Sequence, residues 1–420
     1  MTGPDPSAEV GRILDRTTEG PLVVAVSGGG DSLALLMLAA DWAASRGRIL
    51  HAVTVDHGLR PESAEEAAMV ARLCAGSDIA HSTLLWDGWD GRGNLQDAAR
   101  RARIALIGGF ARELGAGAVA LGHTLDDQAE TVLMRLGRGS GVDGLSGMAE
   151  ARAIEGLLWL RPMLGLRRAA LRGFLTARGI NWAEDPSNDD PAYDRVKARA
   201  ALGHLVALGI TPERLAETAG AMARARAALE LATAELARAA LTRGDAGDLW
   251  LGTAALDEAP REIRLRLLAG ALGWVSGASY RPRLASLEAA LDAVVSGRLG
   301  GGMTLHGCVL RPRGEGVTIR REPARVAAPV PVSFGRWDGR WQWSGGAAGP
   351  GLVIGALGEA GLGACGDWRA RGAAREALLS TPALWSGQRL VSAPLARPEP
   401  GAGFRRISAV PPPWEVTLLR

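Results

Sequence analysis

The sequence predicts an α/β fold in which a parallel sheet precedes a helical, α+β region and a small β-rich terminal region. Three observations lead to this prediction. Short apolar runs alternate with helical patterns over residues 21–136, which is typical of a parallel sheet covered on both faces. Beyond residue 205 the chain is rich in Ala, Arg, Glu and Leu, as helices are. Residues 329–420 combine six of the 13 Trp with many Gly and Pro.

The elements of the first region follow one another at regular spacing. A β-branched run at 21–27 predicts a buried strand, and glycines separate it from a helix at 31–42. The other predicted strands are 49–56, 81–85 and 116–123, and the other predicted helices are 64–75, 94–114 and 126–136. Ligands bind at the carboxyl ends of parallel strands, so the segments 27–32, 56–60 and 122–130 are expected to meet there.

The second half of the chain shows a different pattern of predicted elements. Helices are predicted at 212–243, 259–273 and 283–296, followed by a hairpin at 303–320. We therefore predict three domains: residues 1–204 with the parallel sheet, a helical linker and α+β domain at 205–328, and a small β-rich C-terminal domain at 329–420.

Charge is nearly balanced over the whole chain, with 48 Lys and Arg against 45 Asp and Glu. The two halves differ, because residues 1–200 carry 22 basic and 26 acidic side chains, whereas residues 201–420 carry 26 and 19. The basic second half favours an anionic partner such as nucleic acid. A mildly basic domain without such a partner is the simpler interpretation of the count alone.

The cysteines exclude several classes of protein. Cys74, Cys308 and Cys365 are far apart and form no CxxC pattern, which argues against a disulfide framework, a zinc finger and a cysteine-held iron–sulfur site. We recognise no signal peptide, and no uncharged stretch qualifies as a membrane span. The expectation is a soluble, cytoplasmic protein without membrane contact.

A glycine-rich loop, Ser27-Gly28-Gly29-Gly30-Asp31-Ser32, joins the first strand to its helix. Glycine backbones can approach a ligand closely, and the N–H groups at a helix start favour phosphate. The loop is not a Walker A motif, because the only lysine is Lys197, and it is not a dinucleotide fingerprint, because Leu stands at position 33. Asp31 would repel phosphate unless Mg²⁺ bridged the two. A glycine turn capped by Asp31 and Ser32 is the purely structural alternative.

Acidic and imidazole side chains follow two of the predicted strands. Asp127 and Glu130 are three residues apart and therefore share one helix face. They could hold Mg²⁺ or orient an ammonium nucleophile, although the helix dipole alone favours acids in a first turn. His57 and His123 could contact phosphate or a transferring proton, or serve only as structural hydrogen-bond partners.

Arginines supply the cationic candidates. Arg100 and Arg103 share a helix face, and with Arg195 and Arg199 they could clamp pyrophosphate, an adenylate or an RNA phosphate. Taken singly, each fits a solvated basic face equally well. Arg138 begins a glycine-rich loop at 138–148, which we predict to be mobile and able to close over the site, to contact RNA, or to act as a plain connector.

Six motifs in register produce a family resemblance. The SGGGDS loop after a strand resembles the PP-loop of the N-type ATP pyrophosphatases, which implies a Rossmann-like ATPase domain that cleaves ATP between its α- and β-phosphates. The other motifs are VDHGLR at 55–60, GHTLDDQAET at 122–131, RGSG at 138–141 with GLSGM at 144–148, Arg161-Pro162, and WxxDPSN at 182–188 with Tyr193, Arg195 and Arg199. In this order they resemble the tRNA(Ile)-lysidine synthases over residues 27–199, and residues 300–322 carry a weaker likeness.

The resemblance implies a two-step reaction on the wobble cytidine of a tRNA(Ile) with a CAU anticodon. ATP with Mg²⁺ adenylates the C2 carbonyl oxygen and releases pyrophosphate. The side-chain amine of free L-lysine then displaces AMP and forms lysidine. Decoding changes from AUG to AUA.

The candidate residues divide by role under this hypothesis. The ATP-binding group is Ser27, Gly28, Gly29, Gly30, Asp31, Ser32, Asp56, His57 and His123, with Arg60 beside the adenosine. The catalytic group is Asp31, Asp127, Glu130 and Arg195, with Asp31 and Asp127 as metal ligands. The lysine- or RNA-binding group is Arg100, Arg103, Asp127, Glu130, Arg138 and Arg199.

Other activities remain open at this stage. A PP-loop tRNA 2-thiolase generally needs catalytic cysteines or an iron–sulfur cluster, and none of the three cysteines lies in a motif. An amidotransferase-type adenylating enzyme would act without RNA. A catalytically silent RNA-binding protein would not need intact SGGGDS and DDQAET segments. The oligomeric state is left open, with a homodimer as one option.

Overall fold

The computed structural model consists of two compact units, residues 1–226 and 227–418. It describes residues 5–17, 19–58, 62–86, 88–89, 91, 95–184, 190, 192–346, 349, 351–397, 399, 401, 403–408 and 412–415. Each unit has its own hydrophobic core and its own sheets.

The first unit alternates helices and strands as the sequence predicts. In chain order its elements are α1 (Pro6–Leu14), β1 (Leu22–Ala25), α2 (Gly30–Arg46), β2 (Leu50–Asp56), α3 (Glu62–Gly76), β3 (Ala80–Leu85), α4 (Leu95–Glu113), β4 (Ala118–Leu121), α5 (Leu125–Gly137), α6 (Val142–Leu145), β5 (Ala151–Ile154), β6 (Leu157–Leu160), α7 (Arg168–Ala177) and α8 (Asp194–Leu205). Helix α9 (Pro212–Ala240) contains the boundary between the units.

Six strands form the sheet of this unit, in the order β3-β2-β1-β4-β6-β5. Neighbouring strands are parallel except β5, which is antiparallel to β6. Successive side chains of β1 point to opposite faces: Leu22 and Val24 belong to the core that includes α1 and α2, whereas Val23 packs with Ile107 of α4. The predicted α/β fold with a parallel sheet is confirmed.

Strand β1 lies between β2 and β4, with Ala25 opposite both Val53 and Leu121. The order of the strands reverses between β1 and β4, which is where open parallel sheets bind ligands. The glycine loop, residues 56–58 and residues 122–127 follow these three strands directly. The fold therefore brings the predicted ligand-binding segments to one edge of the sheet.

The second unit contains antiparallel sheets and two longer helices. Its elements are β7 (Leu241–Arg243), β8 (Leu249–Gly252), α10 (Arg261–Ser276), α11 (Leu284–Val295), β9 (Met303–Leu305), β10 (Cys308–Arg313), β11 (Gly316–Arg321), β12 (Val330–Pro331), β13 (Arg336–Trp337), β14 (Trp341–Trp343), β15 (Val353–Ala356), α12 (Gly358–Gly363), α13 (Arg375–Leu378), β16 (Pro382–Ser386), β17 (Arg389–Ser392) and β18 (Phe404–Arg406). The sheet orders are β7-β8-β11-β10-β9, β12-β15-β16-β17 and β13-β14-β18. The prediction that the terminal region is rich in β-structure is confirmed.

Three local predictions agree with the structure only in part. The helix predicted at 212–243 ends at Ala240, because residues 241–243 pair with β8, which a turn between Gly244 and Asp248 brings alongside. The hairpin predicted at 303–320 is a three-stranded arrangement, since β10 pairs with β9 as well as with β11. The loop predicted at 138–148 contains the helical turn α6.

A buried ionic cluster links the parts of the second unit. The Asp338 side chain, 3% exposed, accepts hydrogen bonds from Arg321 and Arg340. The Arg406 guanidinium lies over the rings of Trp274 and Trp341, at 4.4 and 5.1 Å from their centroids. Residues on both sides of the predicted boundary at 328/329 therefore share buried contacts, and the three-domain division stays a prediction.

Candidate active site

The glycine loop is held in shape by Ser32. Its hydroxyl accepts a hydrogen bond from the Ser27 backbone N–H at 3.1 Å and donates to the Gly29 carbonyl at 2.9 Å. Gly28 has a φ of +87°, a conformation that favours glycine. Gly29, the N-cap residue of the 17-residue helix α2, makes no side-chain cap bond, so within the described part of the chain the first N–H groups of α2 are available to an anion.

Close approach explains two further glycines around the loop. A Cβ atom on Gly30 would lie 3.3 Å from the Trp182 ring, and one on Gly122 would lie 3.1 Å from the Ser32 Cα. The Ala183 N–H also donates to the Gly28 carbonyl at 3.0 Å. The loop is thus packed between the end of β4 and the segment at 182–184.

Three carboxylates surround the Arg168 guanidinium at the edge of the sheet. Nε donates to Asp31 Oδ2 at 2.9 Å and Nη2 donates to Asp127 Oδ1 at 3.1 Å. Nη1 lies 3.8 Å from Glu130 Oε1. The structure therefore brings together the three predicted acidic residues, one from the glycine loop and two from α5.

Glu130 is 1% exposed, and its Oε1 also accepts a hydrogen bond from Arg199 Nε at 3.0 Å. Burial raises the pKa of Glu130, although Arg199 opposes the shift. Burial likewise raises the pKa of Asp31 against the effect of Arg168. Glu130 Oε2 and Asp31 Oδ1 are buried and have no hydrogen-bond partner among the described residues. Each carboxylate thus has one oxygen available to a ligand.

Asp126 and Asp127 also form hydrogen bonds at the starts of helices α7 and α5, respectively. Asp127 Oδ2 accepts from the backbone N–H and the hydroxyl of Thr124, in a capping box at the start of α5. Asp126 accepts from the Arg168 N–H at 2.7 Å, at the first residue of α7, and from Arg167. These acids therefore stabilise helix starts, as the helix-dipole interpretation predicts. Any part that they play in ligand binding would be additional.

Several arginines act electrostatically on His123, which follows β4 and precedes α5. Burial, with Arg161 the main charge acting in the same direction, lowers the pKa of His123 to about 4. Burial and Arg100 lower the pKa of Arg161 to about 10. Arg195 and Arg100 also act on His123, and both lower the pKa of Arg103, after burial as the main cause. A neutral imidazole beside a group of arginines suits an anionic ligand such as pyrophosphate.

The predicted nucleotide residues after β2 form a separate small cluster. Asp56 accepts hydrogen bonds from Ser63 at 2.6 Å and from the Gly58 N–H at 2.9 Å, and the Ser63 bond is the main reason that its pKa is lowered. His57 Nε2 lies 3.3 Å from an Arg103 nitrogen. Burial, followed by Arg103, lowers the pKa of His57. His57 and Arg103, predicted for ATP and for lysine or RNA respectively, are thus in contact.

Arg138 is placed apart from the carboxylates. It pairs with Asp194 at 2.9 Å, and its side chain is 68% exposed. The following loop is tied to α5, because Gln128 bonds the Met148 carbonyl and N–H and Arg135 bonds the Gly144 carbonyl. Arg60 and residues 185–189 of the predicted motifs lie outside the described residues.

A cavity of about 350 Å³ lies beside Glu130. Its charged and polar lining is Asp126, Glu130, Arg167, Arg168, Arg199, Thr211 and Glu213, and the rest is Leu202, Gly203, Val206 and Pro212. The volume is at the lower end of the range for small-molecule pockets. The cavity offers both signs of charge, as a zwitterionic ligand requires.

Sequence reasoning missed two arginines as candidate site residues. Arg161 belongs to the Arg161-Pro162 motif of the family resemblance, and this membership could have identified it as a candidate. Arg168 follows no recognisable pattern, because Asp31 is 137 residues away from it in the chain. Only the folded sheet brings the two together.

Two further observations bear on function. Within the described ranges, no helix is long and apolar enough to cross a membrane. All three cysteines are buried, and burial raises the pKa of Cys74 to about 11 and that of Cys308 to about 12. Thiols with such pKa values are poor nucleophiles at neutral pH.

Comparisons with known proteins identify the family of the chain. A family model described as a PP-loop domain matches residues 5–206. The tRNA(Ile)-lysidine synthase of Ruegeria pomeroyi is 50% identical over 376 residues, which cover 89% of this chain and 88% of that one. The tRNA(Ile)-lysidine synthase of a Bradyrhizobium species is 42% identical over 327 residues, covering 74% of this chain and 91% of that one.

Among solved structures, a U34-tRNA thiolase from Methanococcus maripaludis with its 4Fe-4S cluster aligns with a TM-score of 0.45 and 16% identity, covering 52% of this chain and 78% of that one. The relatives at 42% and 50% identity, by contrast, extend over most of this chain. The chain therefore belongs to the tRNA(Ile)-lysidine synthase family, with an ATP-binding PP-loop domain at residues 5–206.

Proposed function

We propose that this chain ligates free L-lysine to C2 of the wobble cytidine in a CAU-anticodon tRNA(Ile), forming lysidine while ATP is cleaved to AMP and diphosphate. The observation that carries the proposal is the convergence of the glycine loop with Asp31, Asp127 and Glu130 at one edge of the sheet. This arrangement supports the proposal, because a loop suited to phosphate lies beside carboxylates that can bind cations.

The first step is adenylation of the cytidine. The C2 carbonyl oxygen attacks the α-phosphate, and pyrophosphate leaves. The open N–H groups of α2 bind phosphate oxygens, and the arginines near His123 are suited to the leaving pyrophosphate. In this scheme Ser27, Gly28, Gly29, Gly30 and Ser32 form the cradle, with Asp56, His57 and His123 around the nucleotide.

Mg²⁺ fits the residues present. Asp31 Oδ1 is a buried carboxylate oxygen without a donor among the described residues, and one or two carboxylates with substrate phosphates suffice for this ion. The described residues hold no group of three or more His, Cys, Asp or Glu suited to a metal. When bound, Mg²⁺ neutralises charge on the phosphates. Asp31 would be the principal ligand, with Asp127 as the second predicted one.

The second step is attack by lysine. Its ammonium must lose a proton before the nitrogen bonds to C2, and AMP then leaves with the former carbonyl oxygen. Glu130 Oε2 has no donor in the described part of the chain, and the raised pKa of this carboxylate suits a proton acceptor. The cavity beside Glu130 offers space for lysine, and Arg199, which also lines it, is a candidate partner for the lysine carboxylate. Arg195 is proposed to stabilise the transferring charge.

The tRNA would supply a base splayed out of its loop, as sequence-specific recognition of single-stranded RNA generally requires. The basic second half is the proposed contact surface for tRNA phosphates. The thiolase alternative is disfavoured by the buried cysteines with raised pKa values.

The decisive experiment uses purified protein, ATP with Mg²⁺, radiolabelled lysine and two transcripts. Label should enter the CAU-anticodon tRNA(Ile) transcript and not a tRNA(Met) transcript. Pyrophosphate release that depends on tRNA without label would leave adenylation in place and exclude lysine as the nucleophile. No signal from either assay would contradict the proposal and favour an adenylating enzyme that acts without RNA.

A further inference from the structure

Arg168 is the one described side chain that contacts all three carboxylates of the candidate site. Its side chain is 20% exposed, and it stands at the first residue of α7. Its three nitrogens are directed to different partners: Nε to Asp31, Nη2 to Asp127 and Nη1 toward Glu130. One guanidinium thus joins the glycine loop to α5.

The contacts of Arg168 offset the repulsion among the three carboxylates. Asp31 belongs to the start of α2, whereas Asp127 and Glu130 belong to α5, and in addition to burial, the main cause, the negative charge of Asp127 acts to raise the pKa of Asp31. A guanidinium can bond several carboxylates at once, because its donors point in fixed and separate directions. A lysine ammonium is a single point charge and cannot reproduce that geometry.

The contacts of Arg168 also determine which carboxylate oxygen of Asp31 and of Glu130 stays available to a ligand. Arg168 occupies Asp31 Oδ2, so the unpartnered oxygen of that carboxylate is Oδ1. Arg199 and Arg168 lie at Glu130 Oε1, so the unpartnered oxygen there is Oε2. Buried carboxylate oxygens without donors are costly, and ligand cations would relieve that cost.

We propose that Arg168 is a positioning residue that orients Asp31 for the metal of ATP and Glu130 for the ammonium of lysine. The proposal rests on the function proposed above. Arg168 need not touch either substrate, because it acts by holding one oxygen of each carboxylate and leaving the other free. A single residue then sets the geometry of both half-reactions.

The neighbouring Arg167 provides a matched control. It also forms ion pairs, with Asp126 and with Glu213, but it contacts neither Asp31 nor Glu130 within the described ranges. Its loss removes the same charge from the same helix start. An effect of Arg168 that Arg167 does not share therefore reports positioning rather than ordinary ion pairing.

The test combines metal binding with lysine kinetics in Arg168→Met, Arg168→Lys and Arg167→Met. Mn²⁺ binding is measured by electron paramagnetic resonance with ATP and without tRNA, and the KM for lysine is measured with the tRNA(Ile) transcript. Residues that orient metal ligands typically contribute 10–100-fold to metal affinity. We expect Arg168→Met to weaken Mn²⁺ binding and raise the KM for lysine, each by about tenfold or more.

Arg168→Lys should recover no more than one of the two properties, since one ammonium cannot bond both carboxylates. It also provides the test if Arg168→Met does not fold. Arg167→Met should leave Mn²⁺ binding unchanged, and only Mn²⁺ binding is compared for this variant, because Arg167 also lines the cavity proposed for lysine. Wild-type Mn²⁺ affinity and lysine KM in either Arg168 variant would overturn the proposal, as would an equal loss of Mn²⁺ affinity in Arg167→Met. Mn²⁺ binding requires no lysidine formation, so it reports on Arg168 even if the wild-type protein fails to incorporate lysine.

Discussion

Thr124 donates to Asp127 Oδ2 from both its backbone N–H and its hydroxyl, at 2.8 Å each. The other oxygen of Asp127 accepts a hydrogen bond from Arg168. Both oxygens of this carboxylate are therefore engaged, whereas Glu130 keeps one that is unpartnered among the described residues. Of the two predicted acids on α5, Glu130 is the better placed to accept a proton from lysine.

Glu130→Gln should consequently block the lysine step more than Asp127→Asn does. General bases typically contribute 10²–10⁴-fold, so we expect lysine incorporation to fall by about 100-fold or more in Glu130→Gln, with pyrophosphate release retained. Asp127→Asn should lose about 1 kcal/mol of stability through its weakened cap. The two variants are compared by single-turnover assays and by urea unfolding. An equal loss of lysine transfer in a well-folded Asp127→Asn that still releases pyrophosphate would contradict this assignment.

Asp31→Asn tests the metal assignment. The amide keeps the shape of the side chain but loses the negative charge that would bind Mg²⁺. We expect pyrophosphate release to fall by about 100-fold or more, while tRNA affinity stays within about twofold of the wild-type value. Asp41→Asn is the control, because Asp41 lies on the same helix and pairs with Arg178 at an exposed position. Full activity of Asp31→Asn would rule out Asp31 as the principal metal ligand.

Gly122→Ala should damage the glycine loop without touching a ligand. Its Cβ would lie 3.1 Å from the Ser32 Cα and 3.3 Å from the Asp31 carbonyl oxygen, and these backbone atoms cannot move without shifting the start of α2. Overpacking of this kind costs about 1–3 kcal/mol, and ATP binding should weaken as well.

Gly109→Ala is the matched control for that substitution. Gly109 lies within α4, and a Cβ there would meet nothing within 4 Å. Alanine at this position should increase stability by about 0.5–1 kcal/mol. Thermal unfolding and ATP titration of both variants check the pair, and unchanged ATP affinity in Gly122→Ala would show that the loop tolerates the shift.

The parallel sheet and the edge where ligands bind could be predicted because they depend on local patterns. Apolar runs and glycine stops identify β1 and α2 within a few residues. Arg168 could not be found this way, since its partners Asp31 and Asp127 are 137 and 41 residues distant in sequence. Strand β7 was missed for the same reason: its residues suit a helix locally, and pairing with β8 determines the outcome.

His123 predicts a pH dependence of stability. Its pKa is about 4 in the folded protein, against an ordinary value of 6.5. Between these values the unfolded state binds more protons, so the free energy of unfolding is fully maintained above about pH 6.5 and declines as the pH falls toward 4.

His123→Asn removes this titration, so the free energy of unfolding of this variant should decline less steeply over the same pH range. Urea unfolding of both proteins from about pH 7 to pH 4.5 measures the difference. His51, His57 and His81 also have pKa values lowered by burial, but they remain in both proteins and cancel in the comparison. Parallel curves would show that folding does not lower the pKa of His123.

Asp338 is expected to be the most sensitive carboxylate of the second unit. It bonds two arginines and the Ala327 N–H, and removing one partner from a buried ion pair typically costs about 3–5 kcal/mol. Asp338→Asn should therefore lower the unfolding temperature. Because the second unit is the proposed tRNA-binding surface, tRNA affinity should fall with it, while ATP binding by the first unit is retained.

Asp338→Asn is also a sharper test of the RNA role than removal of residues 330–420. That deletion should weaken tRNA binding more than ATP binding, but it would also leave Arg321 buried without Asp338. Asp292→Asn serves as the control, because Asp292 pairs with Arg261 on the surface and its loss should leave unfolding unchanged. Calorimetry and filter binding of the two variants separate the effects. Unchanged tRNA affinity in a clearly destabilised Asp338→Asn would place RNA recognition outside this unit.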